Sequence, residues 1–245
     1  MSEKDGILKQ VRAAFEFEPR IDLHHYPVEM DFSDGTLTLE GVMQSVAAKK
    51  LALELGIAVP GVTGIIDRLK VAPSAAMSDA EIRDHLCNAL AGDSAFGDCV
   101  IRADIKGQVE TFREPPLEKV GDIEIIVEDG AVLLEGQVPS LSHKRLAGVL
   151  AWWVPGSTNV LNCLEVIPPE EDNNDEITDA VRLALEKDPF VNADQIRIST
   201  RNRVVTLEGL VRNEKEREMA ESDAWFTFGV DKVIDRIEVP ESARS

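Results

Sequence analysis

A three-residue signature returns at fixed spacing, and it constrains the fold more than any bulk property. Leu39-Glu40-Gly41 is followed by Gly61 and Val71, Leu134-Glu135-Gly136 by Gly156 and Val166, and Leu207-Glu208-Gly209 by Gly229 and Val239. The intervals between these positions are the same in all three copies. Self-similarity at a fixed period marks a tandem architecture. The copies divide the 245 residues into units 1–73, 74–169 and 170–245, each long enough to bury a modest core.

Each unit reads α-β-β-α-β. In the third, Asn173 and Glu176 have capping-box spacing, and Ile177, Val181, Ala184 and Leu185 follow at helical intervals. Pro189 stops that helix; 195–200 alternates as a strand, and 204–207 is its return. A charged helix over 213–226 ends near Gly229, and 233–239 is the last strand. The first unit repeats this order with a hairpin about Asp34-Gly35, and the second with a capping box at Ser78 to Glu81 and a hairpin about Asp129-Gly130. Asp-Gly is a strong hairpin signal because both residues tolerate positive φ. The fold class expected is α+β: three small domains, each a three-stranded mixed sheet packed on two helices. The second copy carries an insertion near 99–120, where 101–105 and 108–112 flank Lys106-Gly107. An extra hairpin or a mobile loop is expected there, and such a lengthening is a place for a partner. On the second helices, Ala52, Ala147 and Ala220 share one position and should let the helix approach the sheet; Ile57, Trp152 and Trp225 share another and should fill the space beside it.

Charge narrows the function. The net charge is −19, and the units carry 8 basic against 11 acidic, 7 against 15, and 11 against 19 residues. With no basic unit, nucleic acid is not an expected partner. The opening Met-Ser-Glu-Lys-Asp-Gly has no apolar stretch, and no window is long and apolar enough to span a bilayer, so a cytoplasmic protein without a transmembrane segment is expected. Cys87, Cys99 and Cys163 lack Cys-x-x-Cys spacing and read as reduced structural thiols.

The repeated strand–Asp-Gly–strand–Leu-Glu-Gly hairpin, the Gly-Val before the last strand (Gly61-Val62 and Gly229-Val230) and the closing valine resemble the BON domain family, the bacterial osmotic-shock and nodulation domains. The resemblance covers nearly the whole chain apart from the insertion. The middle copy departs with Gly156-Ser157, and the third has Asn202 where the hairpin glycine usually sits. The resemblance implies binding rather than catalysis: attachment to phospholipid surfaces or protein partners in stress or envelope physiology, or, as in a cytoplasmic relative, binding of potassium. A potassium ion is therefore the one cofactor the resemblance admits.

No catalytic constellation is expected. His24-His25 beside Asp22 lacks identifiable further ligands, His85 and Cys87 do not share a helix face, and His143 reads as solvated, so no metal site is assigned. The best candidates for binding are the aromatic pairs Trp152-Trp153 and Trp225-Phe226 at the ends of second helices, with Lys144 and Arg145 on the same helix as the first pair. Neighbouring helical positions diverge by about 100°, so the members of each pair cannot all face one core. One ring of each is then partly exposed or fills an interface between units. A membrane-surface role requires exposed rings beside Lys144 and Arg145. Asp34, Gly35, Gly41, Gly61, Asp129, Gly130, Gly136, Gly156, Asn202, Gly209 and Gly229 are assigned to turn geometry.

Overall fold

The computed structural model of the chain describes residues 3–115 and 119–240. They form two compact units, Met1–Pro73 and Ser74–Ser245. The first unit runs α1 (Glu3–Phe17), β1 (Val28–Ser33), β2 (Thr36–Met43), α2 (Val46–Ile57) and β3 (Gly64–Val71). Its sheet is ordered β1-β2-β3, antiparallel across the hairpin and parallel between β2 and β3. The parallel pair needs a crossover, and α2 supplies it. Alternation sends Leu37, Leu39 and Met43 into the core, where Val11 and Phe15 of α1 are also buried, while Glu40 faces out to Arg68. Buried Lys49 of α2 reaches the Leu69 carbonyl at 2.6 Å and Asp67 at 2.9 Å, tying the crossover helix to the strand it serves.

The second unit holds the other two repeats. The middle repeat comprises α3 (Asp79–Gly92), β4 (Cys99–Ile105), β5 (Gln108–Arg113), β6 (Gly121–Glu128), β7 (Ala131–Val138), α4 (Leu141–Trp153), β8 (Asn159–Asn162) and β9 (Glu165–Val166). The third comprises α5 (Asn174–Lys187), β10 (Ile196–Arg201), β11 (Val204–Leu210), α6 (Glu214–Phe226) and β12 (Lys232–Glu238). Each crossover helix opens on a side-chain cap at the same repeat position: Ser45, Ser140 and Asn213 accept from Ala48, His143 and Glu216. Ser78 and Glu81 close the expected capping box, whereas Asn173 takes two amides without a return bond from Glu176.

Within the insertion the described residues 99–113 form a hairpin rather than a loop, and 116–118 lie outside the described residues. Lys106 and Gly107 turn with φ of 57° and 82°, and β4 then pairs in parallel with β6. The middle sheet therefore has six strands, β5-β4-β6-β7-β8 with β9 also on β7, where three were expected. Its core gathers Ile101 and Ala103 of the inserted hairpin with Leu86, Ile123, Leu134 and Ala147.

Two sets of turn residues have distinct physical causes. The glycine of Leu-Glu-Gly is demanded by close approach: a Cβ on Gly136 or Gly209 would lie 2.3 Å from the Asp122 oxygen or 2.1 Å from the Gln195 oxygen. The hairpin turns need positive φ, which Asp34-Gly35 and Asp129-Gly130 supply. In the third repeat the assignment shifts by one residue. Asn202 stands where Asp34 and Asp129 stand, with φ 49°, and Arg203, with φ 62°, takes the glycine position. The Asn174 side chain accepts the Arg203 amide at 3.3 Å, and Arg203 pairs with Asp231 at 2.9 Å. Gly156 differs again: it does not take the positive φ of Gly61 and Gly229, and a Cβ there would meet Met77 at 2.6 Å.

Candidate functional site

Five of the six side chains singled out for binding meet at the seam between the second and third repeats, and the sixth, Trp225, is buried on α6. Helix α4 carries Lys144, Arg145, Trp152 and Trp153; Trp225 and Phe226 close α6. Trp152 stacks on Phe226 with centroids 5.8 Å apart and planes 15° from parallel. Trp153 donates from Nε1 to Asp223 Oδ1 at 2.8 Å, and Trp225 donates to Glu221 at 3.2 Å. The Lys144 ammonium sits 4.9 Å from the Phe228 ring centroid, a cation–π contact. Arg145 is 1% exposed; its Nε donates to the Phe228 carbonyl at 2.9 Å and its Nη2 to Asp172 of the linker.

Trp225 and Arg145 are thus buried, and the other rings are half-buried against one another. None of these four rings is exposed; the exposed aromatic beside Lys144 is Phe228, at 43%, beneath the Lys144 ammonium. Helical divergence did split each pair, as expected, but the second face of each is covered by the neighbouring repeat. Ile57, the counterpart of Trp152 and Trp225 in the first repeat, is exposed instead of filling space, while Ala52, Ala147 and Ala220 are fully buried against their sheets.

Comparing equivalent positions explains why the middle repeat behaves differently. Lys49–Asp67 and Arg217–Asp235 link crossover helix to last strand in the outer repeats, at 2.9 and 2.7 Å. The middle repeat has Lys144 and Asn162, and Asn162 instead donates to the Lys144 carbonyl at 2.6 Å. Lys144 is left free of the strand and covers Phe228. Where the outer repeats place Arg68 and Arg236 opposite Glu40 and Glu208, the middle one has Cys163, and its last strand breaks there into β8 and β9.

The seam also holds a group that sequence reasoning missed. Asp223 is 2% exposed, and burial pushes its carboxyl up to about 8; the Trp153 bond works against that rise, and the neighbouring Asp188 carboxyl adds to it. An Asp on a charged helix signals solvent in sequence, and only the packing reveals otherwise. Elsewhere, Asp22 accepts the His24 and His25 amides at 3.0 Å and meets the His25 ring at 2.7 Å; these bonds, the His25 amide first, hold its carboxyl below the usual range, and the cluster is a local turn. His143 is not free in solvent: it contacts Ser140 at 2.6 Å and the Ala95 carbonyl at 2.9 Å. Among the described residues no group of three or more His, Cys, Asp or Glu gathers to hold a metal ion. Burial pushes the Cys87 thiol up to about 11 and raises Cys99, while Cys163 is exposed.

Comparison with known families matches the BON domain three times, over residues 4–73, 78–168 and 173–241. The chain belongs to the BON domain family. BON domains are non-catalytic, binding-type units, and this chain strings three of them in tandem. Among solved structures it is similar to CdsD, a structural protein of the type III secretion system of Chlamydia trachomatis, at 14% identity and a TM-score of 0.24, covering 97% of this chain and 94% of that one. It is similar in the same degree to the CdsD C-terminal domain: 14% identity, TM-score 0.24, 97% of this chain and 98% of that one. Scores that low carry no argument about assembly or role. Among the described residues no BON helix is long and apolar enough to cross a membrane.

Proposed function

We propose that this triple-BON chain is a non-catalytic scaffold that binds a protein partner on the inserted hairpin of its second repeat. The observation that carries this reading is β5. It is the outer strand of the six-stranded sheet, all its side chains except Arg113 are exposed, and they include Val109 at 52% and Phe112 at 47%. Phe112 is the extra residue of a bulge, skipped between the pairs Ile101–Arg113 and Arg102–Thr111. Arg113 fixes the strand end by donating to the Ala91, Phe96 and Cys99 carbonyls. A rigid outer strand with exposed apolar side chains suits an extended partner segment added to the sheet. The acidic balance of this repeat and Glu110 in mid-strand favour a segment that is neutral or basic.

The phospholipid reading has weaker support, because the aromatic pairs it relied on are occupied in the seam and the net charge of −19 opposes anionic lipid. The test is a photo-crosslinking residue placed at Phe112 and, as a control, at Phe17, with flotation on anionic vesicles alongside. A protein adduct from position 112 that Val109→Lys abolishes supports the proposal. Flotation with vesicles, or adducts indifferent to the hairpin, overturns it. A potassium-for-sodium exchange in the same samples reads the cation alternative, through adducts that depend on the ion.

A further inference from the structure

The open faces of the two sheets in the second unit carry opposite charge. Helices α3 and α4 cover one face of the middle sheet, α5 and α6 cover one face of the third, and α4, α5 and α6 meet at the seam. The other face of each sheet therefore lies away from the seam, and alternation along the strands says which side chains it carries. On the third sheet the pairings set Arg197, Glu208 and Arg236 in one row and Arg201, Val204 and Lys232 in another. All four of these cations are exposed, and Leu210 at the end of β11 is 54% exposed. Four cations thus stand against Glu208 and Glu238 on this face, in a chain whose net charge is −19.

The open face of the middle sheet is the reverse. Asp104 of β4, Asp122, Glu124 and Glu128 of β6 and Glu135 of β7 share it with Arg102. Arg102 is held by Asp122 at 2.8 Å, and Lys119, just before β6, goes to the same carboxylate at 3.6 Å. Glu124 and Glu135 stand directly opposite each other in the register, where like charges destabilise a sheet. In the outer repeats the glutamate of Leu-Glu-Gly has an arginine on the last strand: Arg68 for Glu40 at 3.2 Å and Arg236 for Glu208 at 2.9 Å. The middle repeat has Cys163 there, and among the described residues neither Glu124 nor Glu135 forms an ion pair. The third sheet has the opposite surplus. Glu208 lies between two arginines, and among the described residues Arg197, Arg201 and Lys232 form no ion pair.

We propose that the open face of the third sheet docks on the open face of the middle sheet in a second copy of this chain, so that the protein associates with itself head to tail. Within one chain the helices at the seam hold the two faces apart. Between copies each face supplies what the other lacks: Arg197 and Arg201 bring cations to Glu124 and Glu135, and Leu210 meets Leu161, which is 47% exposed. Aligned sheets pack about 10 Å apart, and the third sheet, with seven-residue strands, offers a face of about 23 by 14 Å. That area is at the low end for specific contacts, so the association is weak, held by charge and sensitive to salt. The contact is heterologous, and copies add in a row unless its rotation closes a ring. It occupies the faces of the sheets and leaves the edge of β5 open to a partner strand.

The experiment is sedimentation velocity on the full chain from about 5 to about 200 µM, in a Cys163→Ser background so that the exposed thiol cannot link copies. At low salt the average mass should rise with concentration above that of a single chain, and at about 0.5 M salt it should return to it. Arg197→Glu with Arg201→Glu, and separately Glu124→Lys with Glu135→Lys, should each weaken the association about tenfold or more. Mixing the two variants should restore it, because the first keeps the acidic middle face and the second keeps the basic third face. All four positions lie outside the core, and circular dichroism checks that both variants fold; should one pair disturb folding, the other decides. A wild-type chain that stays monomeric at every concentration, association that survives in either variant, or a mixture that stays apart overturns the proposal. Flotation of a monomeric wild type on anionic vesicles, lost in R197E/R201E, assigns the basic face to lipid and overturns it as well.

Discussion

Arg145→Met isolates the clamp that joins the second and third repeats. The substitution keeps an apolar stem of similar length and removes every donor. Arg145 Nε donates to the Phe228 carbonyl at 2.9 Å, and losing such a charge-assisted bond costs about 1.5–3 kcal/mol. The bond to Asp172 contributes less, because that carboxylate is 32% exposed and regains water when abandoned; about 1 kcal/mol is a fair allowance. Against these losses, Arg145 Nη1 is buried with no hydrogen-bond partner among the described residues, and removing it returns about 1–2 kcal/mol. The net expected loss is about 2 kcal/mol, or about 4–8 °C in Tm for a body of this size. Urea unfolding followed by tryptophan fluorescence reads it. Asp172→Asn alone should cost about 1 kcal/mol and add almost nothing to R145M, because the two residues act as one pair. An R145M chain as stable as the wild type, or more so, would refute the reasoning: desolvation would then outweigh both bonds, as it does in some buried ion pairs.

Three further outcomes follow from single positions. Arg203→Gly relieves a left-handed non-glycine at φ 62° and gives up only an exposed ion pair to Asp231, so it should stabilise the second unit by roughly 0.5–1 kcal/mol, measured by the same urea titration. Gly209→Ala sets a Cβ 2.1 Å from the Gln195 oxygen and should cost about 3 kcal/mol or more, visible as loss of cooperative thermal unfolding of the third repeat in circular dichroism. Thiol labelling of the native chain should modify Cys163 at once and reach Cys87 and Cys99 only on unfolding; rapid labelling of all three would contradict the packing described.

Much of the architecture was legible because its causes are local. Alternation about Asp34-Gly35 and Asp129-Gly130 specifies hairpins within a dozen residues, and Ser45, Ser140 and Asn213 mark helix starts through bonds to residues three positions on. The inserted hairpin was legible for the same reason, but its parallel partner was not: β4 meets β6 across a segment that carries no pairing signal of its own. The third hairpin shows the limit of turn chemistry. An Asn-Arg pair holds positive φ at both residues because the Asn174 side chain and the Asp231 amide bind the Arg203 backbone. What covers Trp152, Trp153 and Phe226 was not readable, since divergence on a helix says that a ring leaves one core without saying what meets it.

The sequence by itself determined the three repeats, the α-β-β-α-β order of each and the membership of the BON family, because period, turn and cap are written in residues close along the chain. Only the tertiary structure shows that Trp153 meets Asp223 and that Arg145 reaches Phe228. Those partners lie tens of residues apart, and each changes the chemistry of the other only once water between them is gone. Burial pushes the Asp223 carboxyl up to about 8, and no local pattern records that.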